Sequence, residues 1–199
     1  SSHEVISNMS ESNLNKIFKY YGDEKYSKKI AKKIVETRKS KIINTKDLTE
    51  IINHVKRNKY FKINNSTKVF QALRIFVNKE ISELINGLIN AYNILPIGGV
   101  IAVVTFHSVE DKIVKSFFKE YAEIKNNSRY LPKTILATKY FKLTKKKPII
   151  PSYKEIKINP PSRSAKLRFA HKLENGCDFK DFINKFKYLI EVENLGFDD

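Results

Sequence analysis

TKVFQALRIFVNKEISELINGLINAYNILPIGGVIAVVTFHSVEDKIVKSFFK, residues 67–119, decides the fold of this chain. Val69, Leu73, Val77, Ile81, Leu84, Leu88 and Tyr92 recur three or four positions apart. That spacing predicts one continuous amphipathic helix over residues 67–95, roughly 40 Å long at about 1.5 Å per residue. Pro96, Gly98 and Gly99 stop it, and residues 100–106 form a near-continuous apolar run of the kind found in strands covered on both faces. Such cover implies a sheet whose other strands are absent from this sequence. Ser108 is expected to cap the next helix, with Asp111 at the third helical position approximating a capping box and Glu110 near the positive helix end. Helix, strand and helix, with a polar cluster at the strand's carboxyl end, is half of an open α/β site.

Outward from this block, Ser10 is placed to cap a helix carrying Leu14, Ile17, Phe18 and Tyr21 on one face, with Gly22 at its end. A second helix is expected over residues 24–38, with Tyr26, Ile30 and Ile34 apolar and the rest of its surface rich in lysine. A third follows over residues 47–55 behind Thr45 as cap. These read as one helical unit that ends in a polar loop at residues 62–66. Beyond the block, the pattern fades over residues 122–138, where a mobile excursion is expected. Residues 139–143 suggest a strand, followed by the basic run Lys145 to Lys147 and a proline-punctuated loop. From Ser164 to Leu173, Ala165, Leu167, Phe169, His171 and Leu173 alternate with Lys166, Arg168, Ala170 and Lys172, which is strand periodicity with the first set expected inside. A last helix over residues 179–190 presents Phe179, Phe182, Ile183, Phe186 and Ile190 as a docking stripe, on this chain or on a second copy.

The 199 residues, 41% of them hydrophobic, suffice for a real core, and a formal charge of +17 points to an acidic polymer as partner. A compositional bias towards Lys, Asn and Ile is the plainer source of the same charge. The single cysteine, Cys177, excludes an internal disulfide framework and any multi-cysteine metal site, and His3, His54 and His171 show no ligand spacing, so no metal is expected. No apolar run approaches the roughly 20 residues that span a bilayer. A cytoplasmic setting, or an organelle matrix, is the expectation.

FQALRI, GG and FHSVEDKIVK, in this order and spacing, resemble the bacterial 16S rRNA (cytosine-N(4))-methyltransferase family. SSHEVISNMS and YYGDEKYSKKIAKKIV resemble that family's inserted helical domain, and NPPSRSAKLRFAHK its closing strand, so the likeness runs to about Lys172. The resemblance implies an α/β chain with a partial Rossmann-like, S-adenosylmethionine-dependent methyltransferase fold and an inserted small helical domain. Residues 1–66 are then the inserted substrate-recognition domain, 67–176 the C-terminal half of the methyltransferase domain, and 177–199 a docking helix and tail. It also implies methylation of a cytidine amine in 16S rRNA of the small ribosomal subunit, with the main S-adenosylmethionine-binding residues upstream of Ser1 and none in this chain, which alone is expected to be inactive. The family's usual His-Pro-Ala-Thr-Arg before the long helix is replaced here by Asn64-Asn65-Ser66-Thr67-Lys68.

An exocyclic cytosine amine is a poor nucleophile because its lone pair is delocalised into the ring, so positioning and preorganised acceptors must supply most of the acceleration. Two readings stand for His107 to Asp111: His107 or Ser108 faces the target base as the catalytic group, or Ser108 and Asp111 cap the helix and His107 is a satisfied histidine at a tight turn. Arg163, Lys166 and Arg168 are candidate phosphate contacts, or a solvated strand edge. Lys112, with Lys115 and Lys119, is a weaker RNA-contact candidate. Arg74, beside Gln71 and Asn78, orients RNA or the inserted unit, or else forms an ion pair across the helical linker. Tyr20-Tyr21 and Tyr60-Phe61 suit base stacking or core packing. The rivals to the enzyme are a non-catalytic basic RNA-binding protein derived from it, and a basic structural protein of the ribosome, which leaves the apolar run at 100–106 unexplained.

Overall fold

The computed structural model describes residues 1–56, 64–122 and 139–196. Tyr60-Phe61, most of the predicted excursion at 122–138 and the start of the 62–66 loop lie outside the described residues. The chain divides into two compact units, Ser1–Ser82 with Lys187–Asp199, and Glu83–Phe186.

The first unit is helical: α1 (Ser2–Asn8), α2 (Glu11–Gly22), α3 (Ser27–Arg38), α4 (Thr45–Val55) and α5 (Thr67–Asn78). Leu14, Ile17, Phe18, Ile30, Ile34, Ile52 and Val69 are fully buried, so the apolar stripes read from the sequence are its core. Ser10 caps α2 as expected, accepting from the Asn13 N–H at 3.2 Å. Asn44, not Thr45, caps α4, where it accepts from Lys46 and Asp47 N–H groups while the Asp47 carboxylate reaches back to Asn44 N–H. Gly22 is required by close approach: a Cβ there would lie 2.5 Å from the Lys68 carbonyl oxygen of α5. A buried ion pair, Lys56 Nζ to Glu24 Oε2 at 2.7 Å, ties the end of α4 to the start of α3, and Lys56 also donates to the Asn65 carbonyl.

The single long helix expected over 67–95 is two helices. Lys79 adopts a left-handed conformation (φ 51°) between α5 and α6 (Glu80–Ile94). The freed N–H groups of Ile81 and Ser82 donate to the buried Glu193 carboxylate, which makes the break a capped junction. No glycine or proline marks it, so the apolar periodicity runs through it unaltered.

In the second unit, β1 (Val100–Thr105), α7 (Ser108–Ala122), β2 (Phe141–Lys142), α8 (Tyr153–Ile158), a 3-10 turn (Pro160–Ser164), β3 (Lys166–Lys172) and α9 (Lys180–Glu193, which ends in the first unit) follow in order. The three strands form one antiparallel sheet in the order β1-β3-β2, with Val100 opposite His171 and Thr105 opposite Lys166. Gly98, at φ 85°, turns the chain into β1 and donates to the Lys172 carbonyl at 2.8 Å.

Burial corrects two expectations. β3 turns Ala170 and Lys172 inward, and Leu167, Phe169 and His171, expected inside, are only half-buried. Lys172, 1% exposed, donates to the Tyr92 and Leu95 carbonyls at 2.8 and 2.7 Å, satisfying the last turn of α6, and its ammonium lies 4.4 Å from the centre of the Tyr92 ring. On β1, Ile101 and Thr105 are buried, whereas Val100 and Val104 are 47% and 52% exposed. The strand is there, but only one of its faces is covered in this structure, and among the described residues β1 pairs on one edge alone. The final stripe docks on its own chain through Phe179 and Phe182, which meet Phe117 of α7 at ring-centroid distances of 5.3 and 5.1 Å, while Ile183 stays outside.

Candidate active-site cleft

β1 ends at Thr105, and the turn into α7 is closed by His107 and Glu110. His107 Nδ1 accepts from the Glu110 N–H at 3.3 Å, and Glu110 Oε2 accepts from the N–H groups of Phe106 at 2.9 Å and His107 at 3.4 Å. This is a reciprocal capping box with an imidazole in place of the usual hydroxyl. His107 is therefore the cap and Ser108 the first helical residue, one position earlier than the sequence pattern predicted. His107 Nε2 also lies 3.1 Å from Glu110 Oε1, with 7% of the imidazole side chain exposed. Burial raises the Glu110 pKa, but hydrogen bonds from the His107 side chain and the Phe106 N–H outweigh it and hold the carboxyl below its ordinary value.

Asp111, released from capping, joins α7 to β3. Its carboxylate takes Lys166 Nζ at 2.9 Å and Arg168 Nε at 2.7 Å, and these hydrogen bonds depress its pKa against the opposing effect of burial. Lys166 and Arg168 can stand on the α7 side because their long stems pack along the sheet while their charged ends meet a carboxylate.

A cleft of about 280 Å³ opens beside this turn, lined by Phe106, His107, Ser108, Ile156, Arg163 and Lys166 among others. Phe106 is 53% exposed, Ile150, also in the lining, 66%, and Arg163 stands on the 3-10 turn with a long contact to the Pro160 carbonyl at 3.5 Å. The structure thus brings together His107, Ser108, Arg163 and Lys166. Arg168 stands two residues further along β3 against Asp111, and Lys112 is exposed on α7. Arg74 belongs to the first unit, where its guanidinium grips Glu80 through two hydrogen bonds of 2.8 and 2.9 Å at the α5–α6 junction. Tyr21 is buried, with its hydroxyl donating to the Leu189 carbonyl, and Tyr20 is 37% exposed against Tyr188. At the altered segment, Asn64 Oδ1 takes both the N–H and the hydroxyl of Ser66, and Lys68 donates to the Asp23 carbonyl, so these residues shape the entry to α5 and the end of α2.

Sequence reasoning missed Phe106, Ile150 and Ile156 as cleft walls, since nothing in their spacing separates a wall from a core position. It missed Glu110 as the closing group because Ser108-x-x-Asp111 and His107-x-x-Glu110 are overlapping frames of the same pattern, and the commoner cap residue favours the first.

An apolar and cationic cleft at the carboxyl end of a strand, where a capped helix begins, is the place and chemistry of a ligand site in an α/β domain. The chain belongs to the MraW methylase family, which it matches over residues 1–173. It is 42% identical over 175 residues to a ribosomal RNA small subunit methyltransferase H of Rhodopseudomonas palustris (strain TIE-1), covering 87% of this chain and 53% of that protein. Proteins of the same name from Sulfurihydrogenibium sp. (strain YO3AOP1) and Rickettsia bellii (strain OSU 85-389) are 41% and 44% identical, over 86% and 87% of this chain and 55% and 58% of their own lengths. The chain therefore spans about half the length of the curated relatives it matches. Among the described residues, no helix is long and apolar enough to cross a membrane.

Proposed function

We propose that residues 1–199 are the substrate side and C-terminal part of an S-adenosylmethionine-dependent rRNA methyltransferase that methylates the exocyclic amine of a cytidine in 16S rRNA of the small ribosomal subunit, acting in the cytoplasm. In this reading residues 1–66 are a helical insertion, and the strands of the second unit are the end of a Rossmann-like sheet. The observation that carries it is the bare side of β1: Val100 and Val104 are about half exposed on a six-residue strand with one unpaired edge among the described residues, and so is Phe106 just after it. An apolar strand face and edge of this kind is what a sheet presents where further strands and helices belong.

The described residues do not fit an S-adenosylmethionine site by themselves. Gly98 and Gly99 precede β1 instead of following a strand into a helix, and at the β1 carboxyl end the Glu110 carboxylate is spent on its own turn. The methyl group and its leaving sulfonium are the cofactor's chemistry. This chain's contribution is to receive and orient a base that has left its stack. In this reading His107 and Ser108 face that base, with Phe106 beside it and Arg163 and Lys166 for the flanking phosphates. Arg74, Lys112 and Arg168 are proposed as RNA contacts further out.

Isothermal titration of residues 1–199 with S-adenosylmethionine tests the division of labour. Binding no tighter than millimolar is expected, and micromolar binding would show that the view of where the cofactor site lies is wrong. A protein containing this chain that binds rRNA but never transfers methyl would favour the non-catalytic RNA binder.

A further inference from the structure

A second cleft lies on the far side of the Asp111 ion-pair cluster. Lys115 and Lys119 stand on one face of α7 at helical spacing, Lys145 and Lys146 come from the segment after β2, and Phe118, Leu143 and Phe169 form the apolar part of the lining. Arg168 also borders it, but its guanidinium is already held by Asp111. No aspartate or glutamate is among the described residues that line this cleft. Four lysines gathered around one concavity concentrate positive charge there, which favours a polyanion over a neutral ligand.

We propose that this lysine cleft binds the phosphodiester backbone of the RNA strand whose base enters the His107 cleft, a reading that rests on the proposed function and adds a second contact surface to it. The two clefts share a wall. Lys166 lines one and Arg168 the other, both on the α7 side of β3 and both bonded to Asp111. Two residues along a strand separate them by about 7 Å, so a single strand leaving the first cleft reaches the second without a turn. The apolar lining also suits a sugar or a loosely stacked base between the cationic rims.

The test is a salt titration of a fluorescein-labelled single-stranded RNA binding to the full 199-residue chain, read by anisotropy. The K115Q/K119Q/K145Q/K146Q variant is compared with a control, K180Q/K187Q, two exposed lysines of α9 that pair with Asp178 and Glu191. Each phosphate released from contact removes about 0.7 from the slope of log K against log salt, so the cleft variant is expected to have a slope shallower by about 2 to 3 and the control an unchanged one. An unchanged cleft-variant slope with a native circular dichroism spectrum overturns the cleft, as does an equal loss in both variants. Binding of the wild-type chain to anionic phosphatidylserine vesicles but not to RNA also overturns it. If RNA binds through the cleft and a full-length protein carrying this chain transfers no methyl to rRNA, the cleft stands and the proposed function falls.

Discussion

Replacing Asp111 by Asn removes the charge that holds Lys166 and Arg168 while leaving the shape of the side chain unchanged. The Arg168 side chain is 11% exposed and Asp111 13%, so the guanidinium is left nearly buried with the neutral Asn carbonyl and the distant Lys146 carbonyl at 3.4 Å in place of a carboxylate; Lys166, 40% exposed, turns to water. Breaking a buried pair costs about 3 to 5 kcal/mol, and an exposed one about 0 to 1 kcal/mol. Because the Asn carbonyl retains one acceptor, the expected loss is about 2 to 3 kcal/mol. For a chain of this size that lowers the melting temperature by about 5 to 10 °C, readable by far-ultraviolet circular dichroism at pH 7. The effect has a pH signature. Asp111 is depressed below its ordinary 3.8 in the folded protein, so its contribution is fully present above that value and is lost as pH falls through the folded value. Wild type and variant should therefore differ most at neutral pH and converge in strong acid. A shift under 2 °C at pH 7, or a gap that persists unchanged into strong acid, would refute the role given to this carboxylate.

His107→Ala should cost about 1 kcal/mol through loss of the helix cap, whereas His107→Asn, with a strong capping side chain, should melt close to wild type. Methyl incorporation by a full-length protein carrying His107→Asn is expected to fall at least about tenfold if the imidazole serves the base, since a cap alone would be rescued. Helix propensity favours Gly22→Ala by about 1 kcal/mol, but the added Cβ meets the Lys68 carbonyl oxygen at 2.5 Å. The expected outcome is a net destabilisation of about 1 to 3 kcal/mol by urea titration, and a more stable variant would show that α2 and α5 are not held at that distance.

The helices of the first unit were legible because each buries a single stripe at helical period and starts on a side-chain cap, as Ser10 does for α2. The break at Lys79 was not, because a left-handed lysine leaves no mark in composition and the apolar spacing continues across it. β3 was legible as a strand but was read inside out. Alternation reports that two faces differ, and assigning the apolar face to the interior assumes that the helix above it offers only apolar groups. Here the helices offer the Asp111 carboxylate and the unsatisfied carbonyls at the end of α6, both of which call for cations. The inward face therefore holds Lys166, Arg168 and Lys172, and the more apolar set of Leu167 and Phe169 is left half-buried.

The same inversion bears on the candidate site. By the strand register, Leu167 and Phe169 stand opposite Val104 and Ala102, so the half-covered residues of β3 and the exposed ones of β1 form one continuous apolar face. Water-facing Val, Leu and Phe in the middle of a sheet gain nothing for a free domain and expose an edge to aggregation. They gain a great deal once covered, at about 25 cal/mol for each Å² removed from water. The α7 side of the sheet is thus covered within this chain, whereas the apolar side is open among the described residues. Under the proposed function, a segment covering that face would also approach the β1 carboxyl end, where Phe106 and His107 line the cleft, so sheet and site would be completed together.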